Sequence, residues 1–240
     1  MMEDHLRGLI RFPWNAFPPV VRLVDVPVMK GHSEYPQAKA GDMAAAKRMV
    51  GGLLTPQLLA GIQTLAGISS PWLLAVHAIE SAGVNRIPAA LAEAVGECLG
   101  WPLWTGVVQA NRVSHTGARG FARLANQAVF DGPIISGACI LVDDFVGMGG
   151  TLANLRGYVL AGGATVTGAL TLTARPHSTI LTLSGETQDA LERKHGKALE
   201  PWWCGTFGFG FACLTESEAR YLLGHDADTI RDHLAEAGFH

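Results

Sequence analysis

The stretch Cys139-Ile140-Leu141-Val142-Asp143-Asp144-Phe145-Val146-Gly147-Met148-Gly149-Gly150-Thr151-Leu152 sets the reading of this chain. An apolar strand ends in two adjacent carboxylates, and a glycine-rich turn then enters a helix through a hydroxyl residue. Such a turn and the first helical turn offer unpaired N–H groups and a positive dipole end to an anion. Gly149 and Gly150 let the backbone approach closely and adopt positive φ. Carboxylates at the C-terminal end of a strand stand in the crevice where open α/β sheets bind ligands. They cannot grip a phosphate, so they suit hydroxyls or a metal beside it. Phosphate plus a vicinal diol describes a ribose 5-phosphate. The competing reading is a solvated Asp-Asp turn with Thr151 as a helix N-cap.

Working outward, the flanks repeat one pattern. Upstream, Trp72 to Ile79 is a short continuous apolar run, as expected of a strand buried on both faces. A loop from Glu80 to Arg86 leads into a helix from Pro88 to Leu99, stopped by Gly100. Leu103 to Val108 is a strand, and a long polar stretch from Gln109 to Gly137 follows. Then come strand Ala138 to Asp144, helix Thr151 to Ala161, Gly162-Gly163, and strand Thr165 to Thr173. Strand, helix, strand with glycine stops is the pattern of a parallel α/β sheet. Nearer the N-terminus, residues 1–19 carry Pro13, Pro18 and Pro19 and read as an irregular arm. Val20 to Val28 reads as a strand, confined by Pro27 to an edge or an end. Asp42 caps a predicted helix from Met43 to Leu54, and Thr55-Pro56 starts another. Beyond Arg175 a helix from Gly185 to His195 precedes an aromatic-glycine segment, Trp202-Trp203 to Phe211. Two closing helices follow, the first opened by a Thr215/Glu218 capping box.

Composition narrows the class. The 240 residues carry net charge −3, with 48% hydrophobic and 16% charged residues. Mean hydropathy is +0.22 and the pI near 6.3. That length buries a substantial core, and the low charge density excludes a disordered acidic tail or a charged rod. The balanced charge argues against nucleic acid held by bulk electrostatics. Cys98, Cys139, Cys204 and Cys213 are scattered without a C-x-x-C pair and read as buried free thiols in a reducing compartment. The acidic start, Met1-Met2-Glu3-Asp4-His5, leads into no signal peptide, and the apolar stretch Pro71 to Ile79 is too short to span a bilayer. A cytoplasmic protein with no membrane partner is the expectation.

The segment Ile140–Thr151 resembles the PRPP-binding motif of type I phosphoribosyltransferases: apolar residues, two acidic residues, then a Thr/Gly-rich loop. It matches neither a P-loop nor a Rossmann turn. The resemblance covers about residues 70–175. It implies an α/β fold, a type I phosphoribosyltransferase-like parallel sheet flanked by helices, with a hood or cap formed by the N- and C-terminal segments. The whole chain, 1–240, is then one phosphoribosyltransferase-like domain, with an N-terminal arm at 1–30 and a C-terminal cap at 176–240. The implied reaction transfers 5-phosphoribosyl from PRPP to a nucleobase or similar nitrogen nucleophile, releasing pyrophosphate. A non-catalytic PRPP- or nucleotide-binding regulator on the same fold is the alternative.

The resemblance also implies roles. Asp143 and Asp144 are catalytic residues accepting from the ribose hydroxyls, and Gly147, Met148, Gly149, Gly150 and Thr151 cradle the 5′-phosphate. Gly83, Asn85 and Arg86 sit where the family places its pyrophosphate loop; the competing reading there is a βα turn with Asn85 as a cap. Gln109 to Gln127 falls where the family has a flexible catalytic loop, whose Arg112 and Arg119 would face pyrophosphate. Arg123 and His115 lie in the same stretch, for which a solvated surface hairpin is the competing reading. Mg²⁺ is the implied cofactor, bound mainly through PRPP with no direct protein ligand, and a homodimer is the implied assembly.

Two departures matter. The family's loop usually carries threonine where this chain has Met148, so one hydroxyl donor is missing. In 6-oxopurine phosphoribosyltransferases the third residue after the acidic pair is an aspartate; here it is Gly147. Any proton acceptor must then come from elsewhere, such as Glu80 or a hood residue. Of the remaining clusters, His225, Asp226, Asp228, Asp232 and His233 read as helix caps and one polar face rather than a metal site. Trp202, Trp203, Phe207, Phe209 and Phe211 either stack a planar base or pack a cap onto the core.

Overall fold

The computed structural model describes residues 9–67, 70–80, 83–111 and 120–237. Its strands run in chain order β1 (Val21–Arg22), β2 (Trp72–Ala75), β3 (Ile79–Glu80), β4 (Gly83–Val84), β5 (Leu103–Trp104), β6 (Val108–Gln109), β7 (Phe130–Asp131), β8 (Ala138–Val146) and β9 (Thr165–Ala174). Five of them form one sheet in the order β1-β9-β8-β2-β5, every pair parallel. β3 with β4 and β6 with β7 make separate antiparallel pairs. Parallel neighbours need a crossover, and the helices Ile87–Leu99 and Gly150–Ala161 supply two of them. The first stops at Gly100, whose φ of 69° suits a residue without Cβ. The expected fold class, a parallel sheet flanked by helices, is the one observed.

β8 lies between β2 and β9, and a packed core covers each of its faces, which is why it reads as an unbroken apolar run. Alternation sends Ile140 and Val142 into one core with Leu91, Val95, Met49 and Ile62. It sends Cys139 and Leu141 into the other, with Leu152, Leu155 and Val159 of the Gly150–Ala161 helix. Burial pushes the Cys139 thiol up to about 12. Cys213 is also buried, but Cys98 and Cys204 are exposed, against the expectation of buried thiols throughout. Among the described residues no single helix is long and apolar enough to cross a membrane.

Several boundaries differ from the sequence reading, each for a local reason. The Val20 to Val28 strand is only Val21–Arg22, at the sheet edge; Asp25 then occupies an N-cap position and Pro27 opens the helix Val26–Gly31. The Trp72 run leaves the sheet after Ala75, which frees Val76 and Ala78 to line a cleft. Leu103 to Val108 splits at Gly106, packed against Pro133, and Val108–Gln109 pairs with β7 instead. β8 continues two residues past Asp144, and the helix after Asp42 ends early, at Gly51.

The segment after Arg175 builds a third core. Helices Gly185–His195, Glu200–Phe207, Glu216–Leu223 and Ala227–Glu236 enclose Trp203, Phe207 and Phe211, all fully buried. The Trp203 and Phe207 rings lie 4.2 Å apart. These aromatics therefore pack the cap and are not free to stack a base. Trp202 is half-buried, beneath the Arg231 guanidinium. Thr215 and Glu218 form the expected capping box, and Asp226 caps the last helix.

Candidate active site

The acidic pair sits near the C-terminal end of the central strand, where the sheet opens. Asp143 and Asp144 are both buried, 7% and 6% exposed. The Asp144 N–H donates to Asp143 Oδ1 at 2.8 Å. Lys39 Nζ, from the helix Tyr35–Lys39, donates to Asp144 Oδ2 at 2.8 Å. Burial first, and then the Asp144 charge, raise the Asp143 carboxyl well above the ordinary carboxylate range, against the Asp144 N–H and the Lys39 charge. Lys39 was missed in the sequence reading. It stands 105 residues from its partner, and no local spacing ties the two together.

The turn after β8 is shaped from behind by the cap. Gly149 takes φ 87° as the residue before the Gly150–Ala161 helix. A Cβ there would come within 2.5 Å of Leu181, so both conformation and space demand glycine. Ser178 Oγ donates to the Gly147 carbonyl at 2.7 Å, and Thr215 Oγ1 to the Met148 carbonyl at 2.6 Å. With these carbonyls tied to the cap, the turn presents its N–H groups as the complementary face. Met148 packs its side chain against the cap core and so contributes apolar contact rather than a polar donor. Thr151 is the second helical residue and lines the cleft rather than capping the helix.

Behind the turn, a buried polar network ties the N-terminal arm to three distant segments. Arg11 donates to both Glu218 oxygens, at 2.6 and 3.0 Å, to Gln127 at 2.8 Å and to Asn154 at 2.5 Å. Its guanidinium also lies 4.5 Å from the centre of the Phe209 ring. The Glu218 carboxylate in turn passes so close to Gly150 that a Cβ there would be 2.7 Å from Oε1.

Acid pair and turn border one cleft of about 320 Å³ at the C-terminal edge of the sheet. Asn85 and Thr151 line it, as do Lys30, Tyr35 and Lys39 from the N-terminal helices and Arg123 and Arg175. Arg86 is not among the described lining residues, and the surroundings of Gly83 lie outside the described residues. Asn85 is buried, and its Oδ1 accepts from the Ile87 N–H at 3.2 Å, one residue before the Arg86 N-cap position. Arg112, His115 and Arg119 lie outside the described residues, as does the Glu80 side chain. The described remainder of that stretch is firmly attached. Asn111 bonds to Gln127 and Val129, and in the helix Gly120–Ala125 the Phe121 ring packs between Tyr221, His225 and His233.

Comparison with known proteins adds the following. No protein-family model matches the chain. It is 39% identical over 229 residues to Protein TraN of Escherichia coli, covering 95% of this chain and 51% of that protein. It is 36% identical over 130 residues to an uncharacterized protein of Haemophilus influenzae, covering 54% of this chain and 29% of that protein. The chain thus spans about half the length of the first relative and under a third of the second. Among solved structures, an adenine phosphoribosyltransferase overlaps 72% of this chain and 88% of its own, at 14% identity and TM-score 0.37. The orotate phosphoribosyltransferase of Aeropyrum pernix overlaps 75% and 85%, at 20% identity and TM-score 0.32. At these TM-scores the overlap is loose, and the architecture stands on this chain's own strand pairings.

Proposed function

We propose that this cleft binds PRPP and transfers its 5-phosphoribosyl group to a nitrogen nucleophile, releasing pyrophosphate. One observation carries the reading: two buried carboxylates and a helix-entering glycine turn border the same cleft at the open end of a parallel sheet. Asp143 and Asp144 accept from the ribose 2′- and 3′-hydroxyls, and the backbone from Gly147 to Thr151 holds the 5′-phosphate. In the transfer the C1–O bond to pyrophosphate breaks and a C1–N bond forms on the opposite face. The chain's part is to hold the sugar still and keep water away while charge moves to the leaving group.

The implied Mg²⁺ suits these donors, because two carboxylates in an open cleft are hard oxygen ligands. When bound, the ion offsets the charge gathering on pyrophosphate. Lys39 enters as the group that Asp144 must share or release when the diol arrives.

The test is incubation of the protein with PRPP and Mg²⁺ against a panel of nucleobases, read by mass spectrometry for nucleotide and pyrophosphate. Base-dependent loss of PRPP supports the transferase. A second reading, a PRPP- or nucleotide-binding regulator, is favoured by the placement of Arg86 away from the cleft lining. Saturable PRPP binding without turnover across the panel selects it, and absence of PRPP binding overturns both.

A further inference from the structure

We propose that Arg123 and Arg175 form a paired-guanidinium clamp for the ligand's 5′-phosphate, closing over the Gly147–Thr151 turn from its open side. The inference deepens the PRPP reading and rests on it for the identity of the sugar.

The two side chains reach the same place from unrelated parts of the chain. Arg123 sits on the helix Gly120–Ala125, and its Nη1 lies 2.8 Å from where a Cβ on Gly147 would stand. Gly147 therefore has a guanidinium laid over it where any other residue would have a side chain. Arg175 follows the last residue of β9, and its N–H donates to the Val146 carbonyl at 3.0 Å. That bond holds it beside the strand end from which the turn begins. Both arginines line the cleft together with Gly147, Gly149, Gly150 and Thr151.

Two guanidinium groups lining one partly enclosed cleft favour an anionic ligand there. Burial and the Arg175 charge both act against the charged form of Arg123. The scaffold nevertheless enforces the arrangement. Phe121, two residues before Arg123, is fixed by ring contacts to Tyr221, His225 and His233 at 4.8–5.0 Å. A dianionic phosphate at the turn offers oxygens to both planar donor forks. The clamp also fits Met148, whose side chain is engaged with the cap and donates nothing to a phosphate.

Calorimetric titration separates this from the alternatives. The wild-type protein, Arg123→Met, Arg175→Met, Arg123→Lys and the Asp143→Asn/Asp144→Asn double variant are each titrated with PRPP, ribose 5-phosphate and inorganic phosphate. Each Met variant is expected to weaken ribose 5-phosphate about tenfold or more, and PRPP by a similar factor. Arg123→Lys keeps charge and stem, loses the fork, and falls between; thermal melts establish that each variant is folded. The Asn double variant weakens both sugar ligands and spares inorganic phosphate. Unchanged ribose 5-phosphate affinity in folded Met variants overturns the clamp. So does a loss confined to PRPP, which would put the arginines on pyrophosphate instead. Arginine-dependent binding of phosphate and ribose 5-phosphate, with no added affinity for PRPP, keeps the clamp and removes the PRPP reading. A wild-type protein that binds none of the three removes both.

Discussion

Asp143 and Asp144 are neighbours in sequence but meet different surroundings: Asp144 has a lysine at 2.8 Å, while Asp143 has an N–H and a low-dielectric setting. Replacing both by Asn removes charge-assisted hydrogen bonds to the diol, each worth about 1.5–3 kcal/mol. PRPP affinity should fall about tenfold or more, as calorimetry would read; unchanged affinity would remove the diol assignment. The raised Asp143 pKa has a separate consequence. A carboxyl that holds its proton more tightly when folded contributes stability that is complete below the unfolded value of about 4 and is lost as pH climbs through the folded value. Asp143→Asn abolishes that loss, so its melting temperature should gain on the wild type as pH rises from about 4. Melting curves with a constant offset across that range would contradict it. Gly147 bears on the acceptor. It has no side chain for proton exchange, and Arg123 occupies the space one would need. Turnover of hypoxanthine and guanine with PRPP should be negligible; if either is the best acceptor in the nucleobase panel, that inference from Gly147 fails.

At the scale of elements, the cap bonds the turn directly through Ser178 and Thr215, and behind it Arg11 joins the N-terminal arm to Gln127 and to Glu218 of the cap. The Arg11–Glu218 ion pair is deeply buried, with side chains only 1% and 3% exposed. Removing one member of a buried pair strands the other charge and costs about 3–5 kcal/mol. Arg11→Met should therefore lower unfolding free energy by about that amount in urea titrations. Replacing Glu218 by Gln in the same chain should restore part of it. Restoration is limited, because Glu218 also completes the Thr215 capping box. A single-variant loss within about 0.5 kcal/mol, the range of ordinary surface changes, would show the link to be dispensable.

For the whole molecule, cap and sheet meet at the cleft, so a ligand held at the turn would couple to cap stability through Ser178 and Thr215. The 109–127 stretch divides accordingly. Its described part is bonded to β7 and packed on the cap helices, with Asn111 donating to the Gln127 carbonyl inside the stretch. In hydrogen exchange, residues 120–127 should be protected before PRPP and Mg²⁺ are added, and any gain on binding should fall within 109–119. A large gain across 120–127 would mean that this helix docks only with ligand, and that Arg123 is placed by it.

Read alone, the sequence determined what depends on local chemistry. The apolar run of β8, the glycine stop at Gly100, the Thr215/Glu218 box and the helix Gly185–His195 were legible, because burial period and capping act over a few residues. So was the pairing of acidic residues with a glycine turn. The tertiary structure decided everything set by meetings across the chain. It withdrew Trp203, Phe207 and Phe211 into the cap, shortened the Val20 and Trp72 runs, and set Arg86 aside from the cleft lining. It also brought Lys39 to Asp144 and Arg123 with Arg175 to Gly147. A lone lysine or arginine carries no periodic signal for its partner; only the packing of the segment that bears it determines where its charge falls.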